Sequence, residues 1–550
     1  MSSGAGAGRV ASLAFAIAFV VLLANGRPIG SGDTGALEKT AGSLVEHGTF
    51  VLSEDGSPDP FTRPVPGGRV SIYPALPALM AAPVFLACGL LFDLNPAGLQ
   101  VAGKLSAALL AALAVSIMAR SYSRRVSPRL ALGSALLFGL GTSVYSTSQA
   151  LWQHPAALLF MAVALDALAR VEAASPTDQW RPGLIAASSL SLAAACRPAV
   201  IPMSAALFVF LLLRARPHAA RLVMAACVPA AFVAAYNTTF FGAAWRFGPG
   251  LEGRFLSAFP ESIAGLLISP ARGLLVFTPI ALVAFLGLFA AARRASLARG
   301  LLFAVLIHVS FLATWNEWHG GESFGPRLLT DLLPALFFYL PEALAAWPAA
   351  ATAVGLLSVS VQLLGGWTYD YRWERLHQRG QQFDPALWSW RDSPIVFAVR
   401  EGVVIQGIPS LEGRRIRARS YRWVPFGAEG STVEATPQGL RIGGEPLIRD
   451  IRMERGGRID AGWVSLAHPA DALAFRSLSA GQHSVHIVGS LKGVLSVETR
   501  DESTTTPLAG DFDLDLPQLW RAGEDVYVRA RSGELRLARL EVRAVVRAYF

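Results

Sequence analysis

The stretch "YPALPALMAAPVFLACGLLF", Tyr73–Phe92, is apolar enough to cross a membrane, and whether it does so fixes the topology of everything after it. If it spans, Arg120, Arg124, Arg125 and Arg129 fall outside the cell, against the tendency of basic loop residues to remain inside. Pro74, Pro77 and Pro83 also crowd the run. We therefore read residues 75–92 as a helix that lies on, or dips into, the outer membrane face. It closes a large first outer loop, 25–96.

Working outward, Ala- and Leu-rich runs of about 20 residues recur from residue 10 to residue 366. The chain is 53% hydrophobic and 16% charged, a composition of polytopic membrane proteins. The net charge of +9 does not point to nucleic acid, because the arginines are spread over short loops between apolar runs. Cys88, Cys196 and Cys227 lie in apolar stretches and give neither a disulfide framework nor a zinc site. Residues 1–25 read as a retained signal-anchor, since no small-x-small cleavage site follows the first apolar run.

The charge rule then gives about eleven spans: 10–24, 97–119, 130–147, 154–170, two short halves within 183–213, 221–241, 274–292, 300–315, 327–345 and 349–366. Arg197-Pro198 divides the run 183–213. Each half is about 14 residues, or about 21 Å of helix, against a hydrocarbon core of about 30 Å. The tip bearing Arg197 is thus expected in a recess below the outer surface, where an ionisable side chain is a functional candidate. From about residue 395 the texture changes to period-two alternation, as in "DVYVRAR" and "ELRLARLEVRAVV". Residues 395–550 read as an extracytoplasmic all-β domain, a sandwich of jelly-roll type, following a membrane domain of residues 1–394.

The polar groups fall on one side of this topology. Asp33 lies in "NGRPIGSGDTGALEKT", His154 in "LWQHPAALL", Arg272 in "SPARGLLVFTP", and Glu317, His319, Glu322 and Arg327 in "WNEWHGGESFGPRLLTDLLP". These motifs, with the surface helix "YPALPALMAAP" and the later "PALWSWRDSPI", resemble the GT-C superfamily of polytopic glycosyltransferases. The likeness is to the branch of protein mannosyltransferases and lipid A aminoarabinose transferases, within a bacterial subgroup of uncharacterised members. It covers roughly residues 10–395. In place of the Asp-Glu pair usual after span 1, this chain has Asp33-Thr34, so a second carboxylate is not carried over.

The resemblance implies an inverting transferase in the bacterial cytoplasmic membrane. It would move a sugar from a polyprenyl phosphate carrier to a lipid, glycan or protein acceptor at the outer face. Such chemistry requires a base for the acceptor hydroxyl and cations for the departing phosphate. Asp33 is the candidate base, with a helix N-cap as its structural alternative. Arg197 and Arg327 are candidates for the lipid phosphate through their guanidinium forks; a capped hairpin tip and an interfacial snorkelling arginine are the alternatives. Arg272 and Lys104 are further phosphate candidates.

His154 and His319 are candidates for sugar or acceptor hydroxyls, and Trp152, Trp315 and Trp318 for sugar stacking, although tryptophan also collects at bilayer interfaces. Glu317, His319 and Glu322 are spaced to hold a divalent metal or to form a solvated loop. Competing readings are ligation of a preassembled glycan, as in O-antigen ligases, a transporter, and a non-catalytic polysaccharide-assembly protein. A transporter would require paired broken helices and an inverted repeat, and the sequence has one clear break.

Overall fold

The computed structural model describes the chain apart from residues 1, 54–58, 248–254, 257, 380–381, 384, 402–430, 437–438, 445–447, 455–457, 461–462, 468–470, 478–480, 500–502, 521–524 and 545–550. It forms two compact units, Met1–Arg400 and Glu401–Ala548. The protein is a multi-pass helical membrane protein with a C-terminal all-β domain.

The first helices are α1 (Ser2–Leu23), α2 (Gly32–His47), α3 (Leu76–Gly89), α4 (Pro96–Tyr122), α5 (Pro128–Leu140), α6 (Ser143–Thr147) and α7 (Gln153–Ala173). They are followed by α8 (Trp180–Cys196), α9 (Ile201–Arg214), α10 (Ala219–Phe241), α11 (Glu261–Ile268) and α12 (Leu274–Phe277). After these come α13 (Ile280–Ala292), α14 (Ser296–Ala313), α15 (Leu333–Phe337), α16 (Leu340–Ala346), α17 (Pro348–Thr368), α18 (Arg372–His377) and α19 (Pro394–Glu401). Among the described residues five helices are long and apolar enough to cross a membrane, or up to six if the bent segment Arg327–Ala346 is one span. The apolar helices at 76–89, 128–140, 198–214 and 280–292 are shorter. The stretch 75–92 is thus mainly the 14-residue α3, whose Phe85 and Cys88 pack with Leu37 and Ala41 of α2 and Ala102 of α4.

Two departures from regular helix matter for the site. At Arg197 the backbone turns extended (φ −150°, ψ 104°) before Pro198, which has no N–H with which to continue α8. α8 and α9 then pack against each other on either side of the break. The expected span 327–345 is the second. It starts as a 3-10 helix, Arg327–Leu332, and bends by 70° between α15 and α16, where Pro341 removes a backbone donor. In 3-10 winding, successive residues turn by about 120°, so residues four apart point in different directions, whereas in an α-helix they nearly align. Arg327 and Asp331 consequently serve different partners.

In the second unit the described strands pair antiparallel throughout and join into one ten-stranded sheet. Its backbone is the long hairpin Gly481–Glu498 and Ser503–Trp520. Alternating residues such as Val526, Val528 and Ala530 point into a separate core with Phe475, Ile487 and Leu537, which is the period-two pattern read in the sequence.

Candidate active site

Asp33 is delivered by a short segment fixed at both ends. Ser31 is the N-cap of α2, its backbone N–H donating to Thr34 Oγ1 at 3.0 Å, so capping does not fall to Asp33. Asp33 stands in the first turn, where the exposed helical N–H groups favour an anion. The glycine before it is needed for space, because a Cβ on Gly32 would stand 1.8 Å from the Phe61 ring. Behind it, Asn25, Arg27, Lys104 and Gln149 form a buried knot. Lys104 donates to Asn25 Oδ1, to Arg27 O at 2.6 Å and to Gln149 Oε1 at 3.1 Å. Asn25 donates to Gly366 O at 2.6 Å, and Arg27 to Tyr369 O at 2.7 Å. The three ammonium protons of Lys104 are thus used within the protein, tying α4 to the segment that carries Asp33.

The Asp33 carboxylate faces a cation from the far end of the domain. Arg327 Nη1 donates to Asp33 Oδ2 at 2.9 Å, and Ser31 Oγ donates to Oδ1 at 3.0 Å. The Arg327 guanidinium lies over the Trp152 ring, 4.3 Å from its centre. Gly320 and Gly321, both left-handed (φ 75° and 67°), turn the preceding loop; a Cβ on Gly321 would stand 3.8 Å from Arg327 Nη2. Burial, with the charge of the nearby Asp33, pushes the Tyr73 phenol up, against the pull of Arg327 and Arg197. Asp33, Tyr73, Arg327 and Arg197 therefore share one electrostatic neighbourhood.

Arg197 is aimed by a residue that the sequence reading did not single out. Its Nε donates to Asp331 Oδ2 at 2.5 Å, and the other oxygen, Oδ1, meets His154 Nδ1 at 3.0 Å. Asp331 and His154 are each 1% exposed. The terminal nitrogens of Arg197 have no acceptor among the described residues, and its side chain retains access to the outside. One signal was present in the sequence. The rule that makes an intramembrane ionisable residue a functional candidate applies to Asp331 as it does to Arg197.

The other candidates have different surroundings. Arg272 is buried; it donates to Glu374 Oε1 at 2.7 Å and Gly321 O at 3.1 Å, with its guanidinium 5.0 Å from the centre of the Trp373 ring. Trp315 stands edge-on to Phe255 at 5.2 Å. Trp318 packs on Gly265. His319 is buried, and desolvation together with Arg272 and Arg327 holds it down to about 4, so it is neutral at pH 7. Glu322 lines a narrow crevice with Trp152, Phe324, Tyr369 and Tyr371. Among the described residues no group of three His, Cys, Asp or Glu side chains is arranged to hold a metal ion, so Glu317, His319 and Glu322 do not assemble as a ligand set.

No family model matches the sequence, and no characterised protein sequence matches it. Among solved structures, the chain is similar to ArnT from Cupriavidus metallidurans in the apo state, with 14% identity, 70% of this chain and 67% of that chain covered, and a TM-score of 0.44. It is also similar to the arabinofuranosyltransferase AftD from Mycobacteria, at 12% identity over 98% of this chain with a TM-score of 0.41. The arabinosyltransferase EmbB from Mycobacterium smegmatis gives 12% identity over 98% with a TM-score of 0.39. The chain spans 59% and 64% of the lengths of these last two.

Proposed function

We propose that the protein is an inverting glycosyltransferase that moves a sugar from a polyprenyl phosphate carrier to an acceptor hydroxyl at the outer face of the bacterial cytoplasmic membrane. The observation that carries this reading is the Asp33 carboxylate set against Arg327, with Arg197, held by Asp331 through its Nε, in the same neighbourhood. A carboxylate beside guanidinium nitrogens that have no acceptor of their own among the described residues fits a displacement that takes up one proton and releases a phosphate.

Asp33 accepts the proton of the acceptor hydroxyl as the acceptor oxygen bonds to the anomeric carbon. The bond from that carbon to the carrier phosphate breaks on the opposite face, and its electron pair leaves with the phosphate. The terminal nitrogens of Arg197 and the guanidinium of Arg327 hold the charge that develops there. Asp331 keeps Arg197 end-on to that phosphate by occupying its Nε. Ser31 orients the base through its hydrogen bond to the carboxylate, with Tyr73 beside it. Lys104 and Arg272 act in support, the first by fixing the approach to Asp33 and the second by bracing the Gly321 loop.

The test is the lipid extract of a deletion strain, read by mass spectrometry. A polyprenyl phosphate bearing a sugar should accumulate, and the wild-type gene should clear it. An unchanged pool of lipid-linked sugars would remove the proposed donor.

A further inference from the structure

The bundle has a second concentration of charge at the end opposite Asp33. α4 and α7 pass the Asp33 end at Lys104 and His154, and Arg120 lies about 24 Å further along α4 than Lys104. There Asp166 of α7, fully buried, receives three guanidinium groups: Arg120 at 3.0 Å, Arg124 at 2.7 Å and Arg170 at 3.2 Å. Arg120 is in the last turn of α4 and Arg124 in the turn just after it, and Arg170 is one turn beyond Asp166 on α7, so all three converge.

One carboxylate can hold three arginines in place but neutralises only one of them. Of the neighbouring acids, Glu342 pairs with Arg125, whereas Glu172 and Asp178 accept from neutral donors and keep their charge, so with Arg181 four guanidiniums stand against three carboxylates, a surplus of one. The three arginine side chains are 37–42% exposed, and the buried Nε of Arg120 has no acceptor among the described residues. Arg170 also lines a recess of ≈ 530 Å³ with Asp178, Trp180, Arg181 and Ile185. Arg181 lies over the Trp180 ring at 5.1 Å, and Ile185 is exposed.

We propose that this is a binding site for a phosphate-bearing anion, either the headgroup of an anionic phospholipid or free phosphate. Guanidinium forks match phosphate oxygens in pairs, and the surplus charge of the cluster supplies the attraction. Trp180 and Ile185 suit the glycerol and acyl carbons of a lipid. The site is separate from Asp33, and the proposal does not depend on sugar transfer.

The test uses the purified full chain in neutral detergent, titrated with phosphatidylglycerol, phosphatidylcholine or inorganic phosphate and followed by native mass spectrometry and thermal melting. Phosphatidylglycerol should bind at least about tenfold more tightly than phosphatidylcholine and raise the melting temperature. R120Q/R124Q should lose that preference. R120Q/R124Q leaves Asp166 paired with Arg170; R124Q, which keeps both Arg120 and Arg170 on Asp166, provides a milder second form in which the preference should weaken. Inorganic phosphate that displaces phosphatidylglycerol would assign the site to phosphate in general; failure to displace it, with the preference intact, would assign the site to the lipid. Equal affinity for the two lipids with no response to phosphate, or an undiminished preference in either folded variant, overturns the proposal.

Discussion

Each oxygen of Asp331 has its own partner, Arg197 on Oδ2 and His154 on Oδ1, and both contacts are shielded from water. Removing the charge frees Arg197 to swing, so Asp331→Asn should raise the donor KM by about tenfold or more, as expected when a charged hydrogen bond of roughly 1.5–3 kcal/mol is lost. The effect on kcat should be smaller. Steady-state kinetics decide this, and an unchanged donor KM would detach Asp331 from the phosphate. Truncation is more severe. Asp331→Ala strands a buried cation and should cost about 3–5 kcal/mol of stability, read as a lowered melting temperature.

Glu38 offers a pH test. It is buried against Gly103 of α4, with Oε1 accepting from Leu151 N at 3.4 Å, and burial pushes it up to about 8 from 4.5. The folded state therefore holds a proton that the unfolded chain releases, and stability must fall as pH rises from about 4.5 to about 8. Glu38→Gln should flatten that slope and melt higher than wild type above pH 8; a slope unchanged by the substitution would show that another group sets it. At this scale the sequence was partly legible. Asp33, Arg197, Arg327 and His154 stand out as polar residues at the ends of apolar runs. Asp331, inside "LLTDLLP", and Tyr73, at the edge of an apolar helix, do not, because their roles depend on partners more than a hundred residues and forty residues away respectively.

Among the elements, the 3-10 turn Arg327–Leu332 does the most to assemble the site. An α-helix there would send Arg327 and Asp331 along nearly one direction; the tighter winding sends one to Asp33 and the other to Arg197 and His154. Apolar periodicity carries no signal for this, so the sequence reading expects one regular span where the structure has a turn and a 70° bend. The division at Arg197-Pro198 was legible because proline cannot extend a helix. Placement of α3 remains the pivot of the topology, and arginine distribution is its warrant. Reporters active only outside the cytoplasm should light up when fused after Gly68 and Ser393 and stay dark after Ser127. Activity after Ser127 would make residues 75–92 a span and reverse the helices that follow.

At the scale of the whole molecule, composition and alternation were enough to separate a helical membrane unit from a β unit, and the two have separate cores. The number of spans was less legible. Among the described residues length and apolarity single out five or six segments, whereas charge placement asks for about eleven, because helices such as α7 carry Asp166 and Arg170 inside otherwise apolar runs. The account as a whole rests on Asp33 as the base. The most direct measurement is transfer by purified Asp33→Asn, using as substrate the lipid-linked sugar accumulated in the deletion strain. Asparagine preserves size but removes basicity, and a general base contributes about 10²–10⁴-fold. The account predicts a folded variant that binds this donor with turnover reduced by at least about 10²-fold; turnover within about twofold of wild type would contradict it.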